Sequence, residues 1–219
     1  MKKAVVLLSG GLDSTTLLYW AVNEGYTPYV LSFDYGQRHK KELIFAKKTC
    51  DKLNVEHKII DITSIHELLS GSALTDESVS IPEEHYSHKS QKVTVVPNRN
   101  AIMLNIAIGY AVSMGADRVF YAAHYNDREI YPDCRAEFIN SQNETAKLAN
   151  DDEELEIIAP FVGKTKADIV KIAGGLGVPF GDTWSCYKGK AKACGVCGTC
   201  RERIEAFGLA GQKDAIEYK

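Results

Sequence analysis

The sequence predicts an α/β fold, in which a doubly wound and mostly parallel sheet is followed by a small cysteine-rich segment. Two observations predict the sheet: short apolar runs alternate with segments of helical periodicity, and polar or glycine-rich turns follow the apolar runs. A third observation separates the C-terminal segment, where four of the 6 cysteines fall between residues 186 and 200. We therefore predict an α/β domain over residues 1–180 and a metal-binding segment over residues 181–219.

The composition is that of an ordinary globular protein. The chain has 219 residues, of which 45% are hydrophobic and 25% are charged. The net charge of −3 argues against a large nucleic-acid surface, so we expect no nucleic-acid partner. The sequence shows neither 18 consecutive apolar residues nor a signal peptide, so we expect no membrane contact and a cytoplasmic location. Cysteines in that compartment indicate metal binding or catalysis rather than disulfides.

The first strand and helix are joined by a glycine-rich turn. The apolar run at residues 4–8 has the length and composition of a buried parallel strand, and helical periodicity follows at residues 14–24. Residues 9–11, Ser-Gly-Gly, lie between them, and two adjacent glycines let the backbone approach a ligand closely. The first amides of the helix and its dipole favour an anion at the same place. This turn therefore predicts a phosphate site.

The remaining elements alternate in the same way. Predicted strands cover residues 29–33, 56–61, 119–122 and 155–158. Predicted helices cover residues 40–53, 98–114, 136–148 and 166–174. Residues 63–92 are polar and without periodicity, which predicts an insertion or flexible loop. Because ligands bind at the carboxyl ends of parallel strands, the polar residues 34–39 should lie near residues 9–14.

The turn after the first strand differs from the commonest phosphate-binding motifs. A Walker A loop does not follow the strand, and the Gly-Lys-Thr at residues 163–165 has Ile158 where the first glycine belongs. No Gly-x-Gly-x-x-Gly follows the strand either. An ordinary helix N-cap formed by Asp13 or Ser14 is the simplest alternative. The sequence Ser-Gly-Gly-Leu-Asp-Ser at residues 9–14, however, resembles the pyrophosphate loop of the N-type ATP-pyrophosphatase superfamily, whose members adenylate a carbonyl or carboxyl oxygen.

The C-terminal cysteines have the spacing of a metal site. Cys186, Cys194, Cys197 and Cys200 form the pattern C-x7-C-x2-C-x2-C, with glycines that allow a tight knuckle. Four thiolates leave no open coordination position, so we predict one structural Zn²⁺ per subunit. An iron–sulfur cluster is the alternative, although nothing else in the sequence indicates redox chemistry. Free thiols and an RNA-binding zinc knuckle are further alternatives.

Several short motifs together resemble one family. They are Phe-Asp-Tyr-Gly-Gln-Arg-His at residues 33–39, Val-Pro-Asn-Arg-Asn at 96–100, Tyr-Pro-Asp-Cys-Arg at 131–135, Lys-Thr-Lys-Ala-Asp at 164–168 and Thr-Trp-Ser-Cys at 183–186. With the pyrophosphate loop and the cysteine cluster they cover nearly the whole chain, which resembles the QueC family of 7-cyano-7-deazaguanine synthases. The resemblance implies an adenine nucleotide alpha hydrolase-like fold and a homodimer. Glu129 and Ile130 depart from the family, which has small residues before Tyr131.

The resemblance also implies a ligase reaction in the biosynthesis of a queuosine precursor. The carboxylate of 7-carboxy-7-deazaguanine attacks ATP, and ammonia then displaces AMP to give an amide. The amide oxygen is activated in the same way and lost, which leaves a nitrile. The implied co-substrate is ATP with Mg²⁺, and the implied partners are small molecules. Free ammonia is the expected nitrogen source, because 219 residues leave no room for a glutamine amidotransferase domain.

This reaction assigns ATP binding to the pyrophosphate loop and the second strand. The predicted ATP-binding residues are Leu8, Ser9, Gly10, Gly11, Leu12, Asp13, Ser14, Thr15 and Phe33. Three residues are predicted to be catalytic. Asp13 would help to place Mg²⁺, and Lys164 would bind the departing pyrophosphate. Arg99 would pair with the substrate carboxylate in a fork.

The reaction also assigns residues to the deazaguanine. The predicted substrate-binding residues are Gln37, Arg99, Tyr131, Asp133 and Arg135. Asp133 would accept hydrogen bonds from the guanine-like edge. A surface ion pair is the alternative for Arg99 and Asp133, and a solvated side chain is the alternative for Lys164. We predict a packing role for Cys134, since no neighbouring thiol is evident that would resolve a persulfide.

Overall fold

Five parallel strands form one sheet in the computed structural model, which describes residues 2–219. The strands are β1 (Lys2–Leu7), β2 (Tyr26–Asp34), β3 (Glu56–Asp61), β4 (Arg118–Phe120) and β5 (Glu156–Ile158). Their order in the sheet is β3-β2-β1-β4-β5. The chain therefore reverses its direction of winding between β1 and β4, and such a switch point opens a crevice at the carboxyl ends of the strands.

Helices cover both faces of the sheet. The helices are α1 (Leu12–Asn23), α2 (Lys41–Leu53), α3 (Arg99–Met114), α4 (Ala136–Asn150), α5 (Lys166–Gly175) and α6 (Gly198–Ala210). Successive side chains of β1 point to opposite faces of the sheet and so belong to different core clusters. Val5 packs in one cluster with Leu104 of α3 and Ile139 of α4. Val6 packs in another cluster with residues of α1, α2 and α5, among them Ile169. Among residues 2–219, no helix combines the length and apolar composition needed to cross a membrane.

The predicted strands and helices of the α/β region are confirmed, with ends that differ by at most three residues. The largest difference is at β2, which we predicted to begin after Pro28. Its register pairs Lys2 with Tyr26 and Ala4 with Pro28, so the strand begins earlier than the sequence pattern indicates. Strand ends depend on the neighbouring strand, which local periodicity does not contain.

Two short 3₁₀ helices, Thr63–Leu69 and Lys89–Thr94, begin within residues 63–92, which contain neither a strand nor an α-helix, as expected of an insertion or loop. The centre of the segment nevertheless packs into the protein, since Ala73 is fully buried and Leu74 is 2% exposed. Arg38 fastens it to the tip of β2, because its guanidinium donates to the carbonyls of Ala73 at 3.2 Å and Val79 at 2.9 Å. The segment thus forms part of the wall beside the crevice.

The sequence analysis missed α6, which begins inside the cysteine pattern. This helix packs through Ala206 and Phe207 against Val170 of α5 and Leu12 of α1. Within it, Arg203 is fully buried and forms a two-pronged ion pair with Asp214 at 2.8 and 2.9 Å. Residues 181–219 are therefore in close contact with the α/β domain, and the boundary at residue 180 stays a prediction.

Candidate active site

The turn after β1 brings open helical amides to the carboxyl edge of the sheet. Gly11 is the N-cap of α1 and provides no side-chain cap. The amide of Thr15 bonds back to the Gly11 carbonyl at 3.0 Å, so the three preceding amides have no acceptor within the helix. The hydroxyls of Ser9 and Ser14 lie 3.0 Å apart across the turn. Donors from backbone and side chain thus surround one place, which is the geometry of an anion site.

Gly10 is required by the packing of α2. Its φ is +86°, and a Cβ atom would lie 2.1 Å from the carbonyl oxygen of Glu42 and 2.8 Å from the amide nitrogen of Ala46. Its own carbonyl accepts a hydrogen bond from the Trp184 amide at 2.9 Å. The sequence analysis expected the two glycines to let the backbone approach a ligand; at Gly10 the missing side chain also lets the backbone of α2 approach, and the ligand contact stays a prediction.

A cavity of about 260 Å³ opens beside this turn, at the switch point of the sheet. Of the residues predicted from the sequence, those that line it are Leu8, Ser9, Gly11, Leu12, Asp13, Ser14, Phe33, Arg99 and Tyr131. Those that are not part of the lining are Gly10, Thr15, Gln37, Asp133, Arg135 and Lys164. Gln37 instead holds the tip of β2, because its amide bonds to the Tyr35 nitrogen at 2.9 Å and the Phe33 carbonyl at 3.0 Å. Arg135 is exposed and donates to the Arg128 carbonyl.

The structure places Lys166 in the cavity, whereas Lys164 is exposed. A capping box begins α5: the Thr165 hydroxyl accepts from the Asp168 amide at 3.2 Å, and the Asp168 carboxylate accepts from the Thr165 amide at 3.0 Å. Lys166 is therefore the first helical residue, and its Nζ lies 2.6 Å from Asp13 Oδ2. The capping-box pattern Thr-x-x-Asp at residues 165–168 indicates in the sequence that the helix begins at Lys166. It does not indicate that the Lys166 side chain points into the crevice.

Acidic side chains and one histidine surround Lys166. Its Nζ lies 3.5 Å from Glu202 Oε2 and 3.5 Å from His124 Nε2, which is in turn 3.2 Å from Asp127 Oδ2. Burial alone would lower the pKa of Lys166, but the carboxylates of Asp13 and Glu202 raise it. Burial and the charge of Lys166 lower the pKa of His124, which favours a neutral ring at pH 7. His124, Asp127 and Glu202 belong to no motif that we recognised in the sequence.

The other end of the cavity presents an arginine among aromatic rings. Arg99 begins α3 directly after Asn98, whose φ of 54° turns the chain into the helix. Its guanidinium donates to the Tyr35 hydroxyl at 3.1 Å and lies 5.3 Å from the centroid of that ring. Tyr131 and Tyr187 line the same region, with their hydroxyls 3.2 Å apart. A flat ring that carries an anionic group fits such surroundings.

Asp133 and Cys134 follow this region along the chain. Burial raises the pKa of Asp133, and the neighbouring charge of Arg99 opposes that rise. Burial likewise raises the pKa of the Cys134 thiol well above its usual value, and its Sγ lies 3.5 Å from the Tyr121 hydroxyl. A protonated thiol is a weak nucleophile, but Cys134 also lines the cavity, so its packing role stays a prediction.

The four C-terminal cysteines converge as predicted. Their Sγ atoms all lie within 4.8 Å of one another, and those of Cys194 and Cys200 are 3.9 Å apart. A tetrahedral zinc with bonds of about 2.3 Å would separate its sulfur ligands by about 3.8 Å, so the cluster fits such an ion. Cys186, Cys197 and Cys200 are buried, and Cys194 is partly exposed. The prediction of a metal site is confirmed as a four-cysteine cluster able to hold a metal.

Comparison with known proteins identifies the family of this chain. The family model described as queuosine biosynthesis protein QueC matches residues 3–211. The chain belongs to the QueC family. The 7-cyano-7-deazaguanine synthase of Psychromonas ingrahamii is 51% identical over 218 residues, which cover 100% of this chain and 98% of that protein. The 7-cyano-7-deazaguanine synthase of Caldicellulosiruptor saccharolyticus is 55% identical, with 99% and 96% covered.

Solved structures resemble this QueC-family chain in fold. The structure of NMN synthetase from Francisella tularensis has a TM-score of 0.56 at 17% identity, covering 96% of this chain and 77% of that one. The structure of the U34-tRNA thiolase NcsA from Methanococcus maripaludis, with its [4Fe-4S] cluster, has a TM-score of 0.53 at 15% identity, covering 95% and 65%. At this identity the likeness concerns the fold alone, and it agrees with the predicted fold class.

Proposed function

We propose that this QueC-family chain is an ATP-dependent ligase of queuosine-precursor biosynthesis that converts 7-carboxy-7-deazaguanine and ammonia into 7-cyano-7-deazaguanine. One observation carries the proposal: a single cavity has the open amides of α1 at one end and Arg99 among tyrosines at the other. Such a cavity presents an anion site and a partner for a flat carboxylate side by side. The two 7-cyano-7-deazaguanine synthases that match over nearly their full length support the same reaction.

The chemistry requires that oxygen become a leaving group. A carboxylate or amide oxygen leaves only after it is adenylated, and the site must then neutralise the charge of departing pyrophosphate. The amides and hydroxyls of the α1 turn support phosphate binding there. We assign charge neutralisation to Lys166, because its ammonium lies in the cavity beside Asp13 and that of Lys164 lies outside. The ring of Phe33, at the tip of β2, is the proposed contact for adenine.

Asp13 is the proposed ligand for the Mg²⁺ that accompanies ATP. Its Oδ2 bonds to Lys166, while its buried Oδ1 has no hydrogen-bond partner among residues 2–219. One carboxylate oxygen is thus free beside the phosphate turn, and Mg²⁺ prefers carboxylate and phosphate oxygens. When bound, the ion supplies positive charge to the phosphates.

At the other end, Arg99 is the proposed partner of the substrate carboxylate. Its contact with Tyr35 fixes the plane of the guanidinium, as a two-pronged bond to a carboxylate requires. Tyr131, which lines the cavity, is the proposed ring contact. Asp133 is not part of the lining, but its charge acts on Arg99, and we keep it as the proposed acceptor for the guanine-like edge. Direct substrate contacts of Gln37 and Arg135 stay predictions.

Zinc is the proposed metal of the cysteine knot, with one structural ion per subunit. Four sulfur ligands and the spacing between Cys194 and Cys200 support it. The proposal also keeps the division at residue 180 and the homodimer that the family resemblance implies. We also propose that the enzyme is cytoplasmic and has no nucleic-acid partner. The net charge of −3 supports the absence of a nucleic-acid partner.

One assay tests the proposed reaction. The purified protein is incubated with Mg·ATP, ammonium chloride and 7-carboxy-7-deazaguanine, and the products are separated by liquid chromatography and mass spectrometry. We expect the nitrile, together with AMP and pyrophosphate. Release of AMP only with tRNA and a sulfur donor would contradict the proposal, and so would the absence of AMP under all these conditions.

A further inference from the structure

Three side chains converge beside the phosphate turn without a role in the steps above. His124 and Asp127 follow the tip of β4, and Glu202 reaches the same place from α6. Their nitrogen and oxygen atoms lie within 4.8 Å of one another, and all three side chains line the cavity. Elements far apart in sequence therefore build one polar cluster next to the reacting end of ATP.

This cluster contains buried polar atoms without partners. Glu202 is only 5% exposed, yet its Oε1 accepts no hydrogen bond among the described residues, and the Nδ1 of His124 has no partner there either. Of the carboxylates that act on the ammonium of Lys166, Asp13 is the proposed Mg²⁺ ligand, and Glu202 and Asp127 remain as acceptors. A buried acceptor without a donor is unfavourable, and a small cation with N–H donors would supply one to Glu202 Oε1.

The charge already present favours ammonium over a second divalent ion. Lys166 Nζ already lies 3.5 Å from both His124 Nε2 and Glu202 Oε2. A second divalent ion on those atoms, in addition to the Mg²⁺ proposed at Asp13, would carry twice the charge of ammonium against this lysine. An ammonium ion carries one charge and keeps the longer separation of hydrogen bonds, about 2.9 Å.

Asp127 lies between the two ends of the cavity. Its charge interacts with Lys166 at the phosphate end and with Arg99 at the carboxylate end. The carboxyl carbon of an adenylated substrate must lie between those two groups, so Asp127 faces the place where nitrogen is added. The Asp127 side chain is 31% exposed, and its partial burial raises its pKa to about 7, which suits a group that takes up and releases a proton near neutral pH.

We propose that Asp127, supported by His124 and Glu202, binds ammonium and accepts a proton from it beside the adenylated carboxyl carbon. The inference rests on the proposed function. Ammonium gives one proton to the Asp127 carboxylate, and the nitrogen lone pair of ammonia forms the C–N bond. The bond between carbon and the AMP oxygen breaks, and AMP leaves with that electron pair. The nitrogen loses its second proton to water, Asp127 returns its proton to solvent, and the amide remains.

The variant Asp127→Asn tests this role, with three measurements on the full-length enzyme. Exchange of labelled pyrophosphate into ATP, dependent on the carboxylic acid, reports adenylation. Amide and nitrile formation against ammonium concentration reports the nitrogen step. Hydroxamate formation from hydroxylamine, which is uncharged at neutral pH, reports attack without ammonium binding. We expect kcat/KM for ammonium to fall by about 100-fold or more, with exchange and hydroxamate formation unchanged.

A second variant and a matched control complete the test. Glu202→Gln should raise the KM for ammonium by a larger factor than it changes exchange, which keeps the inference testable if Asp127→Asn does not fold. Glu129→Gln removes an exposed carboxylate from the same turn as Asp127 and should change none of the three measurements.

Three outcomes would overturn the inference while leaving the proposed function intact. They are unchanged ammonium kinetics in Asp127→Asn, an equal loss with ammonium and hydroxylamine, and recovery of that variant with excess Mg²⁺. The last outcome would assign Asp127 to a divalent ion. Absence of acid-dependent exchange in the unmodified enzyme would overturn the proposed function and the inference together.

Discussion

Replacing Lys166 with methionine keeps most of the side-chain volume and removes the charge that faces Asp13 and Glu202. The two oxygens that it contacts, at 2.6 and 3.5 Å, then lose their cation in a site where the lysine side chain is 9% exposed. Breaking a buried ion pair from one side costs about 3–5 kcal/mol. In a chain of this length each kcal/mol lowers Tm by about 2–4 °C, so we expect a fall of about 6–20 °C.

The same change should slow the adenylation step. A preorganised cation or donor that meets developing charge contributes about 2.7–4 kcal/mol, so kcat for pyrophosphate release should fall by about 10²–10³-fold. The assay is continuous pyrophosphate detection at saturating ATP, with calorimetry for Tm. Lys164→Met is the matched control, since that exposed lysine lies two residues away, and it should change neither quantity. An equal loss in Lys164→Met, or full activity in Lys166→Met, would refute the reasoning.

Four further outcomes are expected. Metal analysis should find one zinc per chain, and Cys197→Ser should lose it with a lower Tm; iron with acid-labile sulfide would contradict this. Arg99→Lys, which cannot form a planar fork, should raise the KM for 7-carboxy-7-deazaguanine by about tenfold and leave the KM for ATP unchanged in steady-state kinetics. Asp214→Asn should weaken the buried pair with Arg203 and lower Tm by several degrees in calorimetry, whereas an unchanged Tm would contradict that pair's role. Cys134→Ala should still form the nitrile at a comparable rate, and complete loss would indicate a nucleophile.

The sequence predicted the sheet because its signals are local. Strand and helix patterns alternate along residues 1–180, and the Ser-Gly-Gly turn at residues 9–11 is recognisable from its own three residues. Cysteine spacing acts over a few residues in the same way, which is why the metal cluster could be predicted. In each of these cases the residues that determine the feature lie within one short stretch of the chain.

The features that could not be predicted depend on residues that are distant in the sequence and meet only in the folded protein. Lys166 and Asp13 are 153 residues apart, and Glu202 reaches the same place from a helix hidden by the cysteine pattern. The choice between Lys164 and Lys166 depends on where α5 begins and which way its first residue points. Gly10 shows the same limit, because the atom that forbids a side chain there belongs to Glu42 of another helix.

The bond from the Trp184 amide to the Gly10 carbonyl joins the cysteine-rich segment to the turn that faces the nucleotide. Glu202 and Thr199, within two residues of Cys200, belong to the same cavity wall. If the cluster holds the proposed zinc, removal of that ion would disturb the cavity wall itself, and a chain ending at residue 180 would have no wall on that side.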